Sequence, residues 1–324
     1  HRNHAPLSPS GGFPSPLILL TRNSQLALAQ AGACAEALSG LGIAVSSRTV
    51  TSHGDRDRMR DLAEFGGFGA FVKALECELL AGRGDIAVHS MKDVPVNLPE
   101  GCVIAAVLPR ESSRDVLITR NGCGLESLPP GAVVGTSSLR RRAQVRSARR
   151  DIVCISCRGN VETRLGRLES GEVDAIILAE AGLNRLGIGA EGSERMPFIT
   201  SAGQGAIAIE ALAGSPAAAA VGGLNHFETW CEVTAERELL GLMGLGCACP
   251  IGVRGRMRNG SMELRAAIYS MESKDAPEDE RADLSAEGRV DSADDARALA
   301  GRLWGMMRDL PLMLELTACG GLRR

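Results

Sequence analysis

Asp85-Ile86-Ala87-Val88-His89-Ser90-Met91-Lys92-Asp93-Val94-Pro95 is the stretch from which the fold of this chain is read. Ile86 and Val88 alternate with smaller or polar residues, as in a short strand. Pro95, with no N–H and a fixed φ, prevents a ladder or helix from running on. His89, Ser90, Lys92 and Asp93 follow the apolar pair, and each can hold or move a proton. In an open α/β sheet, ligands are handled at the carboxyl ends of the strands. Asp93 is therefore the leading candidate for the chemistry. The plain alternative is a solvated Lys-Asp turn.

Upstream, Leu17 to Leu20 reads as a short apolar strand leading into Thr21-Arg22-Asn23-Ser24. Ser24 is a suitable N-cap, with Leu28, Ala31 and Ala35 following at helical spacing and Gly40 as the stop. A second strand runs from Ile43 to Val50. Residues 56–69 are charged and then glycine-rich, the composition of a mobile surface loop. Phe71, Leu75 and Leu79 mark the helix that delivers the chain to Asp85. The order is β-α-β-α-β, a doubly wound α/β pattern.

Downstream the pattern returns without repetition of sequence. Val133 and Val134 end a strand, and Gly135-Thr136-Ser137-Ser138 turns into a helix. Ile152 to Ile155 is a strand running to Arg158-Gly159-Asn160, and Val161, Leu165 and Leu168 mark the next helix. Ala175 to Leu178 is a further strand, before a helix ending near Arg185. Residues 201–204 read as a loop, 207–209 as a strand able to rejoin the first domain, and 212–223 as a surface connection or short helix. From Phe227 the character changes. A helix (Val233 to Met243) and a Gly-Cys loop precede two strands, Val253 to Met257 and Leu264 to Tyr269. An acidic loop (271–283) leads to an amphipathic helix carrying Ala296, Leu299, Leu303 and Met306, which Pro311 ends. The expected organisation is a disordered leader at 1–16, domain 1 at 17–110 with 203–224, domain 2 at 113–199, and a small α+β domain 3 at 227–324.

At 324 residues the chain is long for one core, in keeping with several domains. Aromatic residues are only 3% and the net charge is -3, which argues against base stacking and against general attraction to nucleic acid or acidic membranes. No apolar run approaches the roughly 20 residues of a membrane-spanning helix. His1 to Pro16 is Pro-, Ser- and Gly-rich and lacks the basic-then-apolar order of a secretory signal. Ten scattered cysteines are too sparse for a disulfide scaffold, so a reduced, cytoplasmic setting is expected.

Arg140, Arg141, Arg142, Arg146, Arg149 and Arg150 crowd one helix of an acidic protein. A solvated face or a nucleic-acid patch is the plain explanation for such a run. Two features point elsewhere. Thr136, Ser137 and Ser138 precede it at a strand-to-helix turn, where hydroxyls and free N–H groups favour an anion. Arg158, Arg164 and Arg185 come from separate elements of the same domain, and guanidinium forks suit carboxylates. A polycarboxylate ligand is implied, with Arg142, Arg149 and Arg150 left as surface. Leu245-Gly246-Cys247-Ala248-Cys249-Pro250 offers two thiols near glycines. They read as small buried hydrophobes, as a nucleophilic thiolate, or, with Cys154 and Cys157, as half of a metal site. No histidine lies at ligand spacing, so no metal is expected.

Taken together these stretches resemble the porphobilinogen deaminase (hydroxymethylbilane synthase) family. The resemblance is carried by Arg22-Asn23-Ser24 with Leu26-Ala27-Leu28, Gly66-Gly67, Phe71-Val72-Lys73 and Asp85 to Pro95. It continues through Gly135 to Arg141, Arg158 to Val161 with Thr163-Arg164, Asp174 to Leu178, Gly203-Gln204-Gly205, Val233 to Arg237, and Gly246-Cys247 with Pro250-Ile251. It runs in order from about Leu17 to Ile268. It implies two lobes like those of periplasmic binding proteins plus a small third domain, and a dipyrromethane cofactor joined by a thioether to Cys247. It also implies that four porphobilinogens are added head to tail with loss of ammonia and that hydrolysis releases hydroxymethylbilane.

The ring acetates and propionates then account for Arg22, Ser24, Ser90, Lys92, Thr136, Ser137, Ser138, Arg140, Arg141, Arg158, Gly159 and Arg164, with Arg185 and Gln204 near the cleft. The resemblance further implies that Asp93 faces the cationic methylene-pyrrolenine and shuttles protons, and His89 is expected to be structural. The expected partner is small-molecule porphobilinogen, with no nucleic acid, no membrane and a monomeric chain.

The chain departs from the family at Phe68, where a lysine is familiar, at Leu245, at Cys249 and at His53. Two other classes of protein compete. One is a two-lobed polycarboxylate-binding protein without catalysis, which leaves the thiol loop unexplained. The other is a nucleic-acid binder using Arg140 to Arg150, which requires affinity that falls steeply with salt.

Overall fold

A computed structural model describes residues 16–50, 69–189, 192–245, 249–270 and 281–321. The expected leader up to residue 15, His53, Phe68 and nearly all of the glycine-rich loop, Gly246 and Cys247, and 271–280 of the expected acidic loop lie outside the described residues.

In chain order the first elements are β1 (Leu17–Thr21), α1 (Gln25–Gly40), β2 (Val45–Thr49), α2 (Gly69–Leu80), β3 (Ile86–Ser90) and β4 (Cys102–Val107). They continue with β5 (Asp115–Thr119), β6 (Val133–Gly135), α3 (Leu139–Ala148), β7 (Val153–Ile155), α4 (Val161–Glu169), β8 (Ala175–Ala179), α5 (Glu180–Arg185) and β9 (Glu194–Arg195). Then come β10 (Ile207–Leu212), α6 (Pro216–Val221), α7 (Phe227–Met243), β11 (Ile251–Arg258), β12 (Ser261–Tyr269), β13 (Arg281–Arg289), α8 (Ala293–Met307) and α9 (Pro311–Gly321). Helix starts follow the capping logic of the sequence. Ser24, Ser138, Asn160 and Ser292 each accept a backbone N–H three residues on, satisfying a donor that the first turn leaves open.

The chain divides into two compact units, 1–110 with 206–230 and 111–205 with 231–324. In the first unit the strand order is β2-β1-β3-β10-β4. Alternation sorts the strand residues onto two faces. Leu17, Leu19, Ile86 and Val88 pack with Ala31, Cys34 and Leu38 of α1, while Leu20 and Ala87 pack with Leu75 and Leu79 of α2. β10 does rejoin this sheet, antiparallel between β3 and β4. Its buried Glu210 meets buried His89 at 2.8 Å, which makes His89 a partner inside the sheet layer. Burial and the Glu210 charge push the nearby Glu76 carboxyl above its ordinary range.

The second unit holds a mixed sheet, β7-β6-β8-β5-β9, and a separate antiparallel sheet, β11-β12-β13. The last sheet, with α7, α8 and α9, shares one apolar core that includes Leu239, Leu264, Leu299, Leu303 and Leu316. Two expectations fail here. Residues 281–283 belong to β13, whose full ladder to β12 overrides the local charge. Pro311 begins α9 instead of only ending the helix before it, because a proline at the first helical position gives up an N–H that has no partner there anyway. The strands β4 and β5 were not anticipated at all.

β11 lies against the segment before the loop at 201–205. Val253 donates to the Thr200 carbonyl at 2.9 Å, and a Cβ at Gly252 would run into the carbonyl of Ile199. Gly252→Ala is therefore expected to lower stability by about 2 to 3 kcal/mol. A denaturant midpoint within error of wild type would contradict that close approach.

Candidate active site

In the first unit β1 and β3 are parallel neighbours, so their carboxyl ends share one edge of the sheet. Arg22 follows β1, and Asp93 closes a short turn, Met91–Asp93, that follows β3. The Arg22 guanidinium stacks on the Phe71 ring at 3.9 Å. Burial pulls the arginine below its ordinary value, and the charge of Asp93 opposes that pull. Ser90 reaches the buried Gln30 amide of α1 at 2.8 and 3.2 Å. Ser24 caps α1 through Ala27 at 3.2 Å, which fixes the turn that carries Arg22. Lys92 is half-buried beside them.

In the second unit β6, β7 and β8 are parallel and end on one edge. β5 runs the other way, so its first residue, Asp115, pairs with Ala179 at the end of β8. A carboxylate missed in the sequence is thus delivered to the edge where the expected ligand groups lie. It is fully buried. It accepts Arg140 Nη1 at 2.8 Å on one oxygen, and Arg141 Nη2 at 2.7 Å, Arg141 Nε at 3.1 Å and Gln204 Nε2 at 2.9 Å on the other. Burial alone would push this carboxyl up, but the charges and hydrogen bonds of Arg140 and Arg141 hold it well below the ordinary carboxylate range.

Backbone carbonyls complete the cluster. Arg140 also reaches Ile199 O at 3.2 Å and Ser201 Oγ at 3.3 Å, Arg141 reaches Ile177 O at 2.9 Å, and Gln204 reaches Ser113 O at 2.9 Å. Both arginines, expected to meet a ligand, are buried and engaged by Asp115, the Ser201 hydroxyl and backbone carbonyls, Arg140 through Nε and Nη1. Gly203 N and Gly255 N donate to the two oxygens of buried Glu236 at 2.6 and 2.7 Å, fixing the loop that presents Gln204.

The remaining expected residues take varied places. Thr136 accepts from Ser138 N at 3.2 Å, and Ser137 meets Ser156 at 2.9 Å, so two strand-end turns are linked. Arg158 is exposed. Gly159 has φ +113 with Thr163 packed where a Cβ would be, which only glycine accommodates, and its carbonyl accepts Arg164 Nε at 3.0 Å. Arg185 donates to the Gly205 carbonyl at 2.6 Å, a contact that ties α5 to the loop before β10. Arg149 is more than surface. It clamps Asp151 and the carbonyls of Leu125, Glu126 and Leu128. No group of three or more His, Cys, Asp or Glu able to hold a metal occurs among the described residues.

Residues 17–220 match the family model described as porphobilinogen deaminase, dipyromethane cofactor binding domain, and 230–307 match porphobilinogen deaminase, C-terminal domain. The chain belongs to the porphobilinogen deaminase family. Among curated relatives, a "Probable porphobilinogen deaminase" of Methanosarcina acetivorans is 43% identical over 80% of this chain and 83% of its own length. One of Archaeoglobus fulgidus is 48% identical over 73% and 82%.

Among solved structures, an ancestral arginine-binding protein bound to arginine covers 64% of this chain and 90% of its own at 15% identity, with a TM-score of 0.36. The Bordetella pertussis BvgS periplasmic VFT2 domain covers 64% and 85% at 10% identity, with 0.39. Likeness of that size carries no argument about ligand. With family membership come the activity and the cofactor. The enzyme is a transferase that joins porphobilinogens head to tail with loss of ammonia to give hydroxymethylbilane in tetrapyrrole and heme biosynthesis, and it uses dipyrromethane.

The folded-state pKa of Asp115 lies below the unfolded value, so its contribution to stability is present above that value and lost as pH falls. Between about pH 5 and about pH 2, wild type should lose more stability than Asp115→Asn. Parallel curves in pH-dependent urea denaturation would contradict the assignment.

Proposed function

We propose that Asp93 is the group facing the reacting centre, that the arginines hold ring carboxylates, and that Cys247 is the attachment thiol. The observation that supports this most is the placement of Arg22 and Asp93 at the ends of two adjacent parallel strands, where a carboxylate donor and a charge-balancing anion meet. The donor set fits a chain of pyrroles bearing acetate and propionate groups: guanidinium, ammonium and hydroxyl groups for the carboxylates, and one acid for the ring nitrogens. A dipyrromethane held by these groups would supply a nucleophilic pyrrole carbon.

Arg22 and Lys92 bind carboxylates, and the Phe71 ring limits where the Arg22 fork swings. Asp93 balances positive charge as ammonia leaves porphobilinogen and takes the ring proton released after the carbon–carbon bond forms. Ser90, held by Gln30, positions the turn that carries Lys92 and Asp93. In the second unit the turn at 136–138 with Arg140, Arg141, Arg158, Gly159, Arg164, Arg185 and Gln204 supplies further anion contacts. A cytoplasmic monomer that binds neither nucleic acid nor membrane completes the proposal. So does a division into domains at 17–110 with 203–224, 113–199 and 227–324. No helix of the described residues is long and apolar enough to cross a membrane.

Asp93→Asn should lower turnover by about three powers of ten while the covalent two-pyrrole adduct stays on the purified protein. Wild-type turnover in that variant would refute the role. Intact-mass measurement of Cys247→Ala should show no adduct at all. An adduct that persists there would move the attachment to another thiol.

A further inference from the structure

Three residues expected from the sequence to meet ligand carboxylates, Arg140, Arg141 and Gln204, converge on a single acid that the sequence did not single out. They come from the first turn of α3 and from the loop before β10, and Asp115 comes from the first position of β5. Asp115 is wholly shielded from solvent, and both arginines are nearly so. Two guanidinium groups and one carboxylate leave one net positive charge. Arg141 has all three of its nitrogens engaged, on Asp115 and the Ile177 carbonyl. Arg140 is held through Nε and Nη1, and Nη2 takes no part in those contacts.

We propose that Asp115 is a positioning residue that gathers Arg140, Arg141 and Gln204 into one array and trims its charge so that it meets a single ligand carboxylate. The proposal deepens the reading given above and rests on it. Without the acid, two adjacent guanidinium groups in a buried place repel each other and turn toward water. Geometry and charge then fail together. Uncorrected, an array of two positive charges binds small anions more tightly and becomes more sensitive to salt.

The test is Asp115→Asn in the full chain, with fold checked by circular dichroism and melting. Intact mass gives the fraction of molecules that carry the two-pyrrole adduct. Steady-state kinetics with porphobilinogen at several sodium chloride concentrations give KM and kcat. A folded variant is expected with KM raised about tenfold, kcat changed by less than about threefold, and KM rising more steeply with salt than in wild type. A purely structural role lowers the melting temperature and leaves the salt slope alone. A folded Asn variant with wild-type adduct content, KM and salt slope overturns the proposal.

If the Asn variant does not fold, Ser201→Ala decides, because it removes only the Nε partner of Arg140. KM raised about threefold at an unchanged melting temperature supports the array, and unchanged KM overturns it. Wild type serves as the control on the parent reading. Wild-type protein without adduct or turnover refutes the roles proposed for the site as a whole, whereas variants that behave like an active wild type refute only the role of Asp115.

Discussion

A charge removed from water must be met by opposite charge and by hydrogen bonds, and at Asp115 that requirement orders the arginine cluster of the second unit. Four side-chain donors reach its two oxygens, with distances from 2.7 to 3.1 Å. Removing one member of such a cluster leaves an uncompensated buried charge, which costs about 3 to 5 kcal/mol, so each member constrains the others. The backbone that supplies the remaining acceptors is constrained too. Ile199 accepts from both Arg140 and Gln144 and lies against Gly252 of β11, so the small C-terminal sheet braces the arginine-bearing helix.

The first unit meets the same requirement more cheaply. Arg22 is half-buried and uses an aromatic face and a nearby carboxylate charge instead of a closed ring of donors. Its guanidinium is correspondingly less confined than those of Arg140 and Arg141. The Asp115 cluster is held by a closed set of hydrogen bonds, and Arg22 by stacking. Preorganised donors in a dry setting act on developing charge without reorganising during the reaction.

Much of the fold was legible in the sequence because it is written in local signals. The Ser24 cap sits at the start of α1 as read, and strand alternation sorts Leu17, Leu19 and Leu20 onto two faces. The glycine at 159 sits where only a positive φ fits. What was missed has few local signals. β13 starts inside a charged stretch, and its pairing with β12 comes from the tertiary ladder. The Pro311 signal was ambiguous, since a proline both ends one helix and opens another.

By itself, the sequence determined the family, much of the order of elements and the candidacy of Asp93 and the arginines. Motif order and short-range periodicity are enough for that, because both are properties of neighbouring residues. Only the tertiary structure decided which partners those residues have. Asp115 lies 25 residues before Arg140 and 89 before Gln204, and Glu210 lies 121 residues after His89. A buried charge selects its partners by distance in space, and an antiparallel strand inserted late in a sheet brings together residues that no spacing in the chain relates.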